Sequence, residues 1–331
     1  MRTRIALAAF LLSFFFRPFQ ALSQNYPVIY VGLVSITPSN VAVLAGADGG
    51  YYKKHGLDVR PLVLAGSSTA LAAMLSGEVS LISIAGSGLI NAHLAGRDAV
   101  MIAGMVNFAP YDLIVAKEIR RIEDLRGKKV GIARFGGSAD FLARWGLEKN
   151  GLKPGKDVTI LQTGGNPERL AGVSQGVIQA TLLEQAFAYQ AKKTGLRSLL
   201  DYSTIGLDYQ HNGIGTTKSF SGKNHDIVNR FLKAMVEGIY RLKNDRSFGL
   251  KVLERHLRVS DSDVIQTAYD YYVPKIDPAP YVNLKGMKFL LDTIAETDPR
   301  AKKAKTEEMV NNSLLQEIEA SGFLKQIASG R

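Results

Sequence analysis

The sequence predicts an α/β protein of two lobes, and three observations predict it. Residues 49–96 run twice through the same unit: an apolar run, a small-residue turn carrying serine, and a helical stripe. The same pattern begins afresh at Val130 and continues to Leu200. A polar, glycine-bearing stretch, Asp208 to Thr217, then leads into more than a hundred residues with helical periodicity and no strand signal. Alternating strands and helices specify a mostly parallel sheet covered by helices. The restart at Val130 specifies a second such sheet.

The elements follow in order. Val28 to Val34 reads as the first strand, ending in the polar turn Ser35-Ile36-Thr37-Pro38-Ser39-Asn40 before a helix. Leu57 to Leu64 is the next apolar run and meets Gly66-Ser67-Ser68. Leu71, Met74 and Leu75 then mark a helix. Val79 to Ala85 meets Gly86-Ser87-Gly88 and a helix to about Ala95. Val100 to Val106 is a strand broken by Asn107-Phe108-Ala109-Pro110, and Tyr111 to Ala116 resumes extended. In the second lobe, Val130 to Ala133 leads to the turn Phe135-Gly136-Gly137-Ser138 and a helix to Asn150, ended by Gly151. Strands follow at 158–161, 177–183 and 196–200, with helices at 166–174 and 187–194, and Glu184 at a strand end. Asp208 to Thr217 is expected to cross back to lobe one. Helices follow from Gly222 to about Asn244, around 247–256, 261–273 and 283–296, and at 307–327 with a bend near Gly322. The expected division is therefore 24–115 with 208–331 as lobe one and 116–207 as lobe two.

The chain begins like an export signal. Arg2 and Arg4 precede an apolar run from Ile5 to Phe16, and Ala21-Leu22-Ser23 is a small-x-small cleavage site. Residues 1–23 are read as a signal peptide cleaved near Ser23. No other run is long and apolar enough to cross a bilayer. There is no cysteine, which excludes disulfides, a cysteine lipid anchor and a thiol nucleophile. The formal charge is +11, and removing Arg2, Arg4 and Arg17 leaves +8. The basic residues are dispersed, so nucleic acid is not expected as a partner.

Catalytic signatures are missing. The five histidines, at 55, 93, 211, 225 and 256, form no zinc spacing. There is no G-x-S-x-G elbow, no phosphate-binding P-loop and no dinucleotide fingerprint. What remains is a set of polar turns at the carboxyl ends of strands, where open α/β sheets bind ligands. Hydroxyls and helix-start N–H groups there suit an oxyanion or a carbonyl. The competing reading is that the serines cap their own helices.

Four segments carry a family resemblance. Gly50 to Val59, "GYYKKHGLDV", resembles the "G-Y-F-x-K-x-G-L-D-V" run of ABC-transporter solute-binding proteins of the nitrate/sulfonate/taurine type, the NMT1/THI5-like (SsuA/TauA-like) group. Leu75 to Ser80 resembles its "L-x-x-G-E-V-D" segment, with serine where aspartate is usual. Ile122 to Gly131 resembles its "I-x-x-L-K-G-K-x-V-G" segment, and Gly176 to Glu184 its "G-x-V-D-A" segment, with Gln179 replacing the acid. The resemblance covers roughly residues 28 to 245. It implies the type II periplasmic-binding-protein fold, two α/β lobes joined by two crossings with a ligand cleft between them. It implies a monomeric periplasmic protein, not an enzyme and without cofactor or metal, that captures a small polar or anionic organic solute and delivers it to an ABC permease. Two alternatives stay open: a binding module that reports to a membrane receptor, or an enzyme of the pyrimidine-precursor or menaquinone-pathway type on the same fold. Carried over residue by residue, the ligand-binding set is Ser35, Ser67, Ser68, Ser87 and Asn107 from lobe one and Gly137, Ser138, Asn166 and Glu184 from lobe two. Glu184 departs from an anion site, because a carboxylate there repels an anion unless it is paired.

Overall fold

A computed structural model describes residues 26–64, 66–257 and 259–329. The signal peptide expected over residues 1–23, with its cleavage site, lies outside them.

Lobe one opens with β1 (Val28–Leu33), whose alternation of exposed Val28 and Tyr30 with buried Ile29 and Val31 gives it one core face. A short turn of 3-10 helix at Pro38–Asn40 leads into α1 (Val41–Asp48) and α2 (Tyr51–Lys54). Then come β2 (Asp58–Val63), α3 (Ser67–Ser76), β3 (Leu81–Ile84), α4 (Gly86–Leu94) and β4 (Val100–Val106). The chain crosses at residues 107–110 into lobe two: β5 (Tyr111–Val115), β6 (Lys129–Ile132), α5 (Ser138–Lys149), β7 (Thr159–Gln162), α6 (Asn166–Ser174), β8 (Ala180–Glu184), α7 (Gln185–Lys193) and β9 (Arg197–Asp201). It returns as β10 (Asn212–Thr216) and ends in α8 (Lys218–Lys223), α9 (His225–Asn244), α10 (Arg246–Leu257), α11 (Ser262–Tyr272), α12 (Leu284–Ala295), α13 (Ser313–Ala320) and α14 (Phe323–Ala328).

The two sheets are built alike. The first has the order β2-β1-β3-β10-β4 and the second β7-β6-β8-β5-β9. In each, four strands run the same way, and the strand arriving from the other lobe is inserted antiparallel: β10 between β3 and β4, and β5 between β8 and β9. The two crossings run side by side, joined by the His211 N–H to the Val106 carbonyl at 2.9 Å and the Tyr202 N–H to the Tyr111 carbonyl at 2.9 Å.

Three sequence expectations differ from this. The strand Tyr111–Val115, read as the end of lobe one, pairs with β8 and β9 in the second sheet, so the crossing is the Asn107–Pro110 corner. Its apolar pattern fits either sheet, and only pairing decides. The stretch read as a plain crossing, Asp208 to Thr217, contains β10, all of it buried. Gly213 and Gly215 hide the strand signal, yet both are required. A side chain at Gly213 would collide with the Ala103 carbonyl, and at Gly215 a Cβ would sit 2.9 Å from Ile84. The C-terminal helices mostly cover lobe one, with α9 on α1 and α12 on α4, but α11 packs on α7 of lobe two. Lys193 of lobe two is 3.1 Å from both Asp261 and Asp263, at the start of that helix.

Candidate functional site

The serine turns at the strand ends face each other across the lobes. The Ser87 hydroxyl, at the start of α4, donates to the Gly136 carbonyl of lobe two at 3.1 Å. The Ser138 hydroxyl, at the start of α5, lies 3.1 Å from His211 Nδ1 and 3.2 Å from the His211 carbonyl. Neither caps its own helix: the residues that precede α4 and α5 are Ala85 and Gly137, and no side-chain cap bond is made there. The serines thus serve the interface between lobes.

Glu184 is the centre. It ends β8, is 3 % exposed, and its Oε2 accepts from the hydroxyls of Ser39 at 2.7 Å and Tyr272 at 2.8 Å. Ser39 belongs to the first turn of lobe one and Tyr272 to the last turn of α11, so three distant segments meet on one carboxylate. From lobe two, Asn166 Nδ2 reaches Oε1 at 3.5 Å, and Asn166 Oδ1 accepts from the Glu184 N–H at 3.2 Å. Behind it Arg169 is buried, with Nη2 on Asn166 Oδ1 at 2.8 Å, Nε on the Leu182 carbonyl at 3.1 Å and Nη1 on the Gly164 carbonyl at 2.8 Å. This places a positive charge behind the carboxylate, although burial lowers the Arg169 pKa.

His211 extends the chain of polar contacts. Its Nε2 lies 3.1 Å from Ser39 Oγ. Because Ser39 donates to Glu184, it accepts from Nε2–H, and Nδ1 is left as an acceptor that shares the single Ser138 proton with the His211 carbonyl. Burial pushes the His211 pKa down to about 4, with the nearby Glu184 charge pulling the other way, so the ring is neutral at pH 7. Tyr111 stands edge-on to His211 at 5.2 Å, and Phe108 packs against Tyr271 and Tyr272. Burial, reinforced by the Glu184 charge, raises the pKa of Tyr111 and Tyr272 well above the usual tyrosine range. Asn212, 3 % exposed, donates from Nδ2 to the Ser39 carbonyl at 3.3 Å and to Asn40 Oδ1 at 3.0 Å, while its own Oδ1 has no partner.

Of the expected residues, Ser87, Ser138, Asn166 and Glu184 lie in this interface. Gly137 supplies the extended turn residue that starts α5. Ser67 and Ser68 open α3, half-buried and exposed respectively, on the rim where Arg134 of lobe two lies over Gly66. Ser35 stays in its own turn, 3.3 Å from Thr37 Oγ1, with its carbonyl accepting from Asn40 Nδ2 at 2.8 Å. Asn107 turns away, donating to the Tyr281 carbonyl at 3.0 Å. Ser39, His211, Asn212, Tyr272 and Arg169 were not among the expected residues. The one local signal was a histidine and an asparagine side by side in the polar, glycine-bearing crossing. A separate cavity of about 340 Å³ lies entirely on lobe one, lined by Val100, Lys218, His225 and Glu317 among others. Among the described residues, no group of three or more His, Cys, Asp or Glu side chains is placed to hold a metal ion.

Comparison with known proteins matches this architecture. Residues 37–245 match the NMT1/THI5-like family. The protein YtlA of Bacillus subtilis (strain 168) is 20 % identical over 277 residues, covering 81 % of this chain and 83 % of that protein. A solved protein of Bordetella bronchiseptica RB50 superposes with a TM-score of 0.81 at 18 % identity, over 89 % of this chain and 97 % of that one. The alkanesulfonate-binding protein SsuA from Xanthomonas axonopodis pv. citri, solved bound to MOPS, gives 0.71 at 16 % identity over 86 % and 99 % of the two chains. Two lobes, two inserted crossing strands and a family match over more than half its length establish that the chain belongs to the NMT1/THI5-like family and has the type II periplasmic-binding-protein fold.

Proposed function

We propose that this protein is the extracytoplasmic solute-binding component of an ABC importer. It captures a small organic solute between its lobes and presents it, as a monomer, to a permease. The observation that carries this reading is the Glu184 cluster. Ser39 of lobe one and Glu184 of lobe two meet across the interface, and Tyr272 of α11 joins them, so a solute that exchanges bonds with these groups is coupled to closure. Excluding water strengthens each such bond. Ser87, Ser138 and Asn166 complete the interior lining, and Ser67 and Ser68 form the rim.

The order of groups favours binding over nucleophilic catalysis. In a serine–histidine–acid arrangement the acid orients the histidine and the histidine takes the serine proton. Here the carboxylate accepts the Ser39 proton itself, and His211 sits between two hydroxyls.

The test is a thermal-shift screen of small solutes followed by calorimetry on the strongest binder. Ser138→Ala and Ser39→Ala each weaken binding by about tenfold, the loss of one buried hydrogen bond. Wild-type affinity in both variants contradicts the site. The family role supports a location outside the cytoplasmic membrane, and the leader read at residues 1–23 is proposed to be removed on export. Mass spectrometry of fractionated protein should find an amino terminus near Gln24. An intact Met1 on cytoplasmic protein contradicts export.

A further inference from the structure

We infer that the cleft selects an N–H-bearing solute, an amine, amide or amidine, over a sulfonate or nitrate. This rests on the solute-binding reading above and narrows it.

The argument is an inventory of hydrogen-bonding capacity around Glu184. The donors that reach Glu184 Oε2 are committed; two other buried hydroxyls, of Tyr209 and Tyr271, have no partner and make no hydrogen bond to Glu184. The Ser39 and Tyr272 hydroxyls give their protons to Oε2, at 2.7 and 2.8 Å. Asn212 Nδ2 is held by the Ser39 carbonyl and Asn40 Oδ1. All three nitrogens of the Arg169 guanidinium already serve acceptors of lobe two. Arg134 is exposed on the rim, over Gly66, and not in the interior.

The acceptors have capacity left. An ionised carboxylate has about four lone-pair sites. Glu184 Oε1 receives a single side-chain contact, Asn166 at 3.5 Å, the outer limit of a hydrogen bond. Asn212 Oδ1 is buried with no partner, on a side chain whose other end is tied to Ser39. A buried acceptor left unpaired costs about 1–3 kcal/mol, so a ligand donor there is favoured. An oxyanion brings only acceptors, and it meets a buried carboxylate of like charge. An amide or amidine brings two or more N–H groups, which suits acceptors with capacity to spare. Arg169 behind Asn166 offsets the Glu184 charge, so neutral amides belong to the class as well as cationic amidines.

The experiment compares two panels on the full mature chain by thermal shift and calorimetry. Benzamide, benzamidine and agmatine form one; ethanesulfonate, methanesulfonate and nitrate form the other. At least one compound of the first panel should bind saturably while ethanesulfonate and nitrate do not. Glu184→Gln, with folding checked by circular dichroism, should then weaken that binding at least about tenfold. Asn212→Ala removes the unpaired acceptor without touching the carboxylate and should weaken it severalfold, which keeps the test open if the first variant folds poorly. Binding of ethanesulfonate or nitrate with none from the first panel overturns the inference and leaves solute capture standing. Unchanged affinity in both variants overturns it too. Binding by no compound of either panel overturns this inference, while the solute-binding reading stands or falls on the wider solute screen.

Discussion

At the scale of the residue, the molecule is organised around one buried carboxylate and one buried imidazole. Tyr272→Phe takes one of two short donors from Glu184 and should destabilise the folded chain by about 1–3 kcal/mol in urea unfolding. No change in the midpoint contradicts the bond. His211 has a folded pKa near 4 against an unfolded value near 6.5. Between these values the unfolded chain takes up a proton that the folded chain refuses, so stability rises with pH across that window. The contribution is complete above about pH 6.5, is lost as pH falls through 4, and amounts to about 3 kcal/mol. Unfolding free energies measured from pH 7 to 4 should fall, and His211→Gln should flatten the slope. An identical slope in the variant contradicts a neutral buried His211. Sequence made Glu184 legible, because an acid at the end of an apolar strand run stands out. It did not show Ser39 or Tyr272 as its partners. They lie 145 and 88 positions away, and no local pattern encodes contacts at that range.

At the scale of the element, strands and helices were read from periodicity because each buries one face. The helix expected from Gly222 to about Asn244 is realised in α9, whose Val228, Phe231, Leu232, Met235, Val236 and Ile239 recur at helical spacing and are buried. The bend predicted at Gly322 is the left-handed residue that separates α13 from α14. Two strands misled, for different reasons. β5 carries a clear apolar pattern but no mark of which sheet it joins, and β10 carries two glycines where its neighbours leave no room for side chains. Close packing also dictates glycine where α9 crosses α1. A Cβ on Gly238 would lie 2.7 Å from the Gly46 nitrogen and 3.0 Å from the Ala45 carbonyl carbon. Alanine normally favours a helix over glycine. Here Gly238→Ala should instead destabilise by about 1–3 kcal/mol through overpacking, read as a lower denaturation midpoint. A stabilised variant contradicts the crossing.

At the scale of the whole molecule, the proposed capture requires the two sheets to rotate about adjacent crossings. Each lobe gives the other one inserted strand, so the joint is two-stranded and resists twisting while allowing hinge motion. The family segments Gly50–Val59 and Ile122–Gly131 mark the frame of the two lobes and do not line the interface. That is why sequence revealed the fold more fully than the site. The absence of cysteine makes the most direct test simple. Cysteines placed at Glu78 on lobe one and Lys156 on lobe two, both exposed, take spin labels without any competing thiol. The label-to-label distance is then measured by pulsed electron resonance with and without the strongest binder from the solute screen. Solute capture between lobes predicts a broad distribution that collapses to one distance at saturation, with the collapse abolished by Glu184→Gln at the same solute concentration. A distance unchanged by a solute that calorimetry shows to be bound would contradict capture by closure.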